Sequence, residues 1–281
     1  MDIKATDVKA LREKTGAGML DCKNALVKAE GDPAKAEKIL KELGLAAAAK
    51  RSGRATNEGR IFSAVQEKKA GLLELSCETD FVARNTDFIN YGDTILKEIL
   101  EKDLKDDAPE LKEKVQDAVS KIKENISLRR FRVMEKEDNE IVQDYIHGEG
   151  RIGVLVKIKA DDAKHVNKEE LQQFAFDIAL HIAAYNPRFL DRNSVDGAYM
   201  EDQKAIFLKQ AENLGKPEKV IEGIVKGKLN KHLAEICLLN QGFVKDDKQP
   251  VEKVMKAVGD SIGGVVTITD YAYFSVGEEI E

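Results

Sequence analysis

One order of elements is written twice in this sequence, and it sets the architecture. Residues 60–65 alternate Ile61, Ser63 and Val65 against Phe62 and Ala64; a polar turn covers 66–70, and 72–77 is a second apolar run. A loop and a helical stretch with Phe88, Tyr91, Ile95 and Ile99 on one side follow. The order then returns: a strand at 141–146, the turn His147-Gly148-Glu149-Gly150, a strand at 151–159, and a helix carrying Phe174, Ile178, Ala179 and Ile182. Alternating runs joined by short polar turns form antiparallel hairpins, and each apolar helix face must be buried against its sheet. The spacing therefore predicts an α+β chain with two similar subdomains, each a small antiparallel sheet packed on helices. A strand ending near Met134 belongs to the first, and the alternating run 265–276 completes the second sheet.

The two copies differ in the loop between hairpin and helix. The first reads Thr79-Asp80-Phe81-Val82-Ala83-Arg84-Asn85, the second Ala160-Asp161-Asp162-Ala163-Lys164. What one copy has and the other lacks points to function at the loop rather than to a shared structural duty. Thr79 or Asp80 can cap a short helix, since a hydroxyl or carboxylate there accepts the unpaired N–H groups of the first turn. Such a cap leaves Asp80 and Phe81 side by side. Two readings stand: the ring and the charge insert into a partner, or Asp80 only caps and Phe81 packs inward.

Around this repeat lie two purely helical regions. Residues 1–45 hold three short patterns: Val8 and Leu11 after a Thr6 cap, ended by Gly16; Met19, Cys22, Ala25, Leu26 and Ala29; then Ala36, Ile39, Leu40 and Leu43 after Asp32-Pro33. They predict a compact bundle of the ubiquitin-associated (UBA-like) type. Leu20 falls off the inward face, and Met19 is divided between core and surface. Residues 46–59, small and basic, read as a partly helical linker whose Lys50, Arg51 and Arg54 form a solvated patch. The first subdomain then covers 60–140, with a helix from Pro109 that carries Leu111, Val115, Val119, Ile122 and Ile126. The second covers 141–193 and 234–281, interrupted by a helical hairpin at 194–233. The hairpin is striped by Met200, Phe207, Ala211 and Leu214, then by Ile221, Ile224, Val225, Leu229 and Leu233, and broken at Gly215-Lys216-Pro217. A coiled-coil-like pair of this kind offers a self-association surface, so a homodimer is one reading. Pro250 is placed to start a short helix.

Composition narrows the chemistry. With 51 acidic and 45 basic residues the net charge is -6, which argues against a binder of phosphate backbones. No G-x-x-x-x-G-K-[ST] loop, G-x-G-x-x-G turn or G-x-S-x-G elbow occurs, and the four histidines have no metal-like spacing. No bound nucleotide, nucleic acid, cofactor or metal is expected. Cys22, Cys77 and Cys237 are scattered in apolar surroundings, as free thiols of a reducing compartment are. A Cys77–His181 nucleophile and base is rejected because both lie on apolar faces. No apolar leader follows Met1 and no run of 18 apolar residues occurs, so the expectation is a soluble, cytoplasmic protein with no membrane contact.

Several stretches resemble one family. Thr79-Asp80-Phe81-Val82-Ala83-Arg84-Asn85 is similar to the T-D-F-V-A-[KR]-N signature of elongation factor Ts, and Thr15-Gly16-Ala17-Gly18-Met19-Leu20-Asp21-Cys22-Lys23 to its T-G-A-G-[ML]-[ML]-D-C-K. Asn125-Ile126-Ser127-Leu128-Arg129-Arg130 and the hairpin from His147 to Val156 also resemble it. So does Leu238-Leu239-Asn240-Gln241-Gly242-Phe243-Val244, with Gly242 where proline is usual, a change that loosens the turn. Some relatives continue past the position of Glu281 into a helix that touches the partner. The resemblance implies a guanine-nucleotide exchange factor, not an enzyme, whose partner is the GTPase elongation factor Tu. It implies that Thr79, Asp80, Phe81 and Val82 dislodge the GTPase's Mg²⁺, that Met19, Leu20 and Lys23 grip its nucleotide-binding domain, and that His147 touches another part. The competing reading is an adaptor, UBA-like at one end, without exchange activity.

Overall fold

The computed structural model describes residues 3–280. Met1 and Asp2, at the start of the stretch expected to lack a leader, lie outside the described residues, as do Glu281 and the side chains of Leu45, at the end of the expected bundle, and of Ala47 and Ala48 in the expected linker.

Three helices open the chain: α1 (Ala5–Thr15), α2 (Met19–Lys28) and α3 (Pro33–Arg51). They meet at Val8, Leu11, Cys22, Ala25, Leu26 and Ala36, all buried. Thr6 does not cap α1. Lys4 holds the N-cap position, so Thr6 falls inside the helix, with its hydroxyl on Asp7. Asp32 does cap α3, accepting from the N–H groups of Ala34 and Lys35. Ala46 to Arg51 continue α3, because alanine and basic residues cost a helix little even without an apolar stripe. Leu43, expected inward, is 46% exposed.

The first sheet consists of β1 (Glu58–Val65), β2 (Lys69–Cys77) and, after α4 (Asp80–Ala83), α5 (Thr86–Lys102) and α6 (Pro109–Ile122), β3 (Ser127–Glu135). Its order is β1-β2-β3, antiparallel throughout. Ile126, assigned from the sequence to α6, lies beyond the helix end but is still buried in the same core. The second sheet repeats the order with β4 (Glu140–His147), β5 (Ile152–Ala160) and β8 (Val266–Ser275). Between β5 and β8 run α7 (Glu169–Tyr185), α8 (Gly197–Glu212), α9 (Glu218–Ile236), the two-stranded β6 (Gly242–Phe243) and β7 (Asp246–Pro250), and α10 (Val251–Ile262).

The two sheets lie face to face. Ile61, Leu72, Met134, Val142, Leu155 and Phe274 form one apolar layer from both sheets. Gly153 allows the approach, since a Cβ there would stand 2.3 Å from Ile61 Cγ2. On the outer face of the first sheet, Phe62, Leu73, Leu75 and Cys77 meet Phe88, Ile95, Ile99, Leu111 and Val119 of α5 and α6. On the outer face of the second, Val154, Val156 and Ile158 meet α7 and α10. This makes four layers, helix–sheet–sheet–helix. Both faces of β2 are therefore covered, which is why its residues are apolar almost without alternation.

One residue of β2 breaks that rule. Glu74 is wholly buried, with Arg129 Nη1 at 3.3 Å, Arg130 Nε at 2.8 Å and the N–H of Gly277 at 3.1 Å. A buried carboxylate is tolerated only with such complete pairing.

The helices between the two parts of the second sheet also pack on each other. Tyr199 on α8 bonds His232 on α9 at 2.8 Å, and Lys228 reaches Gln210 at 2.7 Å. Ala211, Val225 and Leu233 are buried, whereas Leu214, expected in the stripe, lies past the end of α8 and is 53% exposed. The β6–β7 pair has no counterpart in the sequence reading. Gly242, expected to loosen its turn, is instead a close-approach position: a Cβ there would come within 2.6 Å of the Asp247 carbonyl oxygen. Among the described residues no helix is long and apolar enough to cross a membrane.

Candidate functional site

Strand β2 ends at Cys77, and the chain must turn sharply to enter the helical layer. Thr79 makes that turn. Its backbone is extended and its Oγ1 accepts from the N–H of Val82 at 3.3 Å, so Thr79, not Asp80, is the N-cap of α4. The Cys77 thiol donates to the Thr79 carbonyl at 3.2 Å. Burial pushes that thiol up to about 12, which suits packing and not nucleophilic work.

With Thr79 fixed, the short helix turns Ala83 and part of Val82 into the core and Phe81 out of it. Phe81 is 82% exposed, the highest value of any large apolar side chain described. Asp80 beside it is partly exposed, 3.8 Å from Arg84 Nη2. Arg84 also reaches Glu149 on the β4–β5 turn, at 3.4 Å. A charged cleft runs between Asp80, Ala83 and Arg84 on one wall and Gly148, Glu149 and Arg151 on the other. His147 stands at the same turn, exposed, with Nδ1 3.1 Å from the Tyr145 hydroxyl. The structure thus brings the tip and the His147 turn to one place.

The remaining sequence-derived residues lie on α2. Leu20 is 70% exposed and Met19 44%, with Lys23 exposed beside them. Val27, one turn further along, adds to the same apolar surface and was not singled out from the sequence. Among the described residues no hydrogen bond or ion pair joins α2 to the tip. Cys77 and His181 are in different cores, the first against α5 and α6, the second on α7 beside Phe243, so they form no pair.

Two acidic residues behind the tip escaped the sequence reading. Glu124, just past the end of α6, accepts the N–H groups of Glu78 and Thr79 at 3.1 Å each through Oε2, and the Thr79 hydroxyl at 2.7 Å through Oε1. Glu78 answers by accepting the N–H of Asn125 at 2.7 Å. That bond, together with Arg54 at 3.2 Å, holds the Glu78 carboxyl below its ordinary range against the opposing effect of burial. Arg54, expected merely in water, is therefore tied to the tip loop, and its carbonyl accepts from Asn125 Nδ2 at 2.7 Å.

A ring and a carboxylate held outward on a capped turn, beside a second exposed turn, have the build of a contact surface. The family model for elongation factor TS matches residues 78–278. The chain is 47% identical over 277 residues to an elongation factor Ts of Treponema denticola, covering 99% of each chain. It is 46% identical to that of Borrelia hermsii and 45% to that of Borrelia recurrentis, each over 280 residues, 99% of this chain and 100% of theirs. The chain belongs to the elongation factor Ts family.

Proposed function

We propose that the chain is a guanine-nucleotide exchange factor that promotes GDP release from elongation factor Tu, so that GTP can rebind. The observation that carries this reading is the exposure of Phe81 on a turn that Thr79 caps and Glu124 braces. An aromatic ring at such a position costs solvation in the free protein and recovers it only in a partner's pocket. Filling one completely stabilises the complex by roughly 1.5–3 kcal/mol. Asp80 enters with it and competes for the polar groups that hold the GTPase's Mg²⁺ and phosphates, the largest charges in that site. Val82 and Thr79 anchor the wedge from behind. Met19, Leu20 and Lys23 on α2 hold the nucleotide-binding domain from the side, and His147 touches another domain. No bond is made or broken. The chain and the nucleotide weaken each other's hold on the GTPase by the same factor, as linkage requires.

The same reading takes residues 1–45 as a UBA-like module, 60–140 as the first subdomain, 141–193 with 234–281 as the second, and 194–233 as an inserted helical hairpin. Exposed Ile206, Leu208 and Val220 support a self-association role for that hairpin. The protein works in the cytoplasm and holds no nucleotide of its own. Trace amounts of the chain mixed with elongation factor Tu carrying fluorescent GDP are expected to release many equivalents of nucleotide. Release no faster than in buffer would identify an adaptor instead.

A further inference from the structure

Resting on that exchange reading, we infer that Glu124 is a positioning residue for the tip, holding Thr79 so that Asp80 and Phe81 are presented in one orientation. One carboxylate satisfies two backbone N–H groups and the hydroxyl of the capping residue, from 45 and 46 positions away in the chain. The return bond from Asn125 to Glu78 closes the loop, so each segment holds the backbone of the other. Neither segment is held by sheet pairing at this point: β2 ends at Cys77 and β3 begins at Ser127. Without Glu124 the Thr79 side chain would keep only its bond from Val82, at 3.3 Å, and the tip would be a four-residue helix on a loose stem. A helix that short has no stability of its own.

The clamp also reaches the first three helices. Glu124 follows α6, whose C-cap Lys123 takes a left-handed conformation that turns the chain back toward the tip. Helix α3 packs on α6, with Gly44 so close to Ser120 that a Cβ would stand 2.5 Å from its hydroxyl oxygen. The helix on which the bundle packs is followed, two residues past its end, by the residue that fixes the tip, so one segment touches both contact surfaces.

The test uses the full chain and elongation factor Tu loaded with fluorescent GDP. Glu124→Ala is expected to slow stimulated release by about five- to tenfold, the effect of losing a helix cap. Glu124→Gln, which keeps one acceptor oxygen for the two N–H groups, recovers most of it. In a Phe81→Ala background Glu124→Ala adds nothing, because a tip without its ring gains nothing from being held; a residue acting only on overall stability would add its loss in full. Amide exchange read by mass spectrometry over residues 78–83 is expected to speed up in Glu124→Ala while β1 and α5 stay protected. Additive losses, or unchanged exchange at the tip, would overturn the inference. If Glu124→Ala does not fold, Glu124→Asp, which keeps the charge but shortens the arm of the clamp, is read the same way. Failure of the wild-type chain to release nucleotide sinks the exchange reading instead, and tip protection still decides the clamp.

Discussion

Phe81 and His181 show the two fates of a ring in this fold. Phe81 stands in water on a bonded turn, so removing it costs the fold almost nothing. Phe81→Ala is expected to melt within about 0.5 kcal/mol of the parent in chemical denaturation, as exposed substitutions do; a collapse would mean that the ring packs inward. His181 is completely buried, its Nε2 2.9 Å from Gln241 Oε1. Gln241 spends its own amide on the Glu235 carbonyl, so the imidazole is the donor and Nδ1 is left without a partner. Burial lowers its affinity for a proton below the ordinary 6.5. The unfolded chain then binds the proton more readily, so this contribution to stability is complete above about pH 6.5 and shrinks as the pH falls below it. Unfolding curves at pH 7.5 and 5.5 are expected to converge more closely in His181→Gln, which keeps a donor for Gln241, than in the parent. An unchanged pH dependence would place the titration elsewhere.

At the level of elements, the asymmetry between the two copies becomes physical. The loop after β5 is also capped, by Asp162 onto the Lys164 N–H, but its single turn buries His165 against Asp161 at 3.0 Å. The first copy turns a side chain out where the second turns one in. Replacing Asp161 and Asp162 together by alanine is expected to leave nucleotide release untouched in a stopped-flow trace; a large loss would show that both loops meet the partner. Most elements were legible because helix and hairpin periods are strong over these lengths. The capped turn at Thr79 was legible too, but the orientation of Phe81 was not, since an acid and a phenylalanine at a helix start suit either face. Glu124 left no local signal, being distant in sequence and brought to Thr79 only by the fold. Asp246 to Gln249 is polar and pairs only with its own neighbour, so β7 lacks the alternation that marks a strand.

Across the whole molecule, two half-similar units become one support because their sheets share an apolar layer and because polar groups cross it. Arg132 pairs with Asp270 at 2.7 Å, and Ser63 bonds Asp144 at 2.6 Å. Arg130 joins Glu74 to Glu278 while lying on the Phe274 ring, 4.2 Å from its centroid. Glu74→Ala leaves Arg129 and Arg130 half-buried without that acid and is expected to cost about 3 kcal/mol in a denaturant titration. A cost below about 1 kcal/mol would mean that Glu278, the Ser275 carbonyl and solvent suffice for the two guanidinium groups. The Thr79–Ala83 tip and the His147 turn belong to different units yet face one cleft, and the shared apolar layer holds them there.

The most direct measurement compares the parent with Asp80→Ala/Phe81→Ala at concentrations that saturate elongation factor Tu bound to fluorescent GDP. Saturation separates the release step from mere attachment. The parent is expected to release nucleotide at least about tenfold faster than the double variant, a loss typical of an interface anchor. Equal rates, with both proteins bound, would contradict the account.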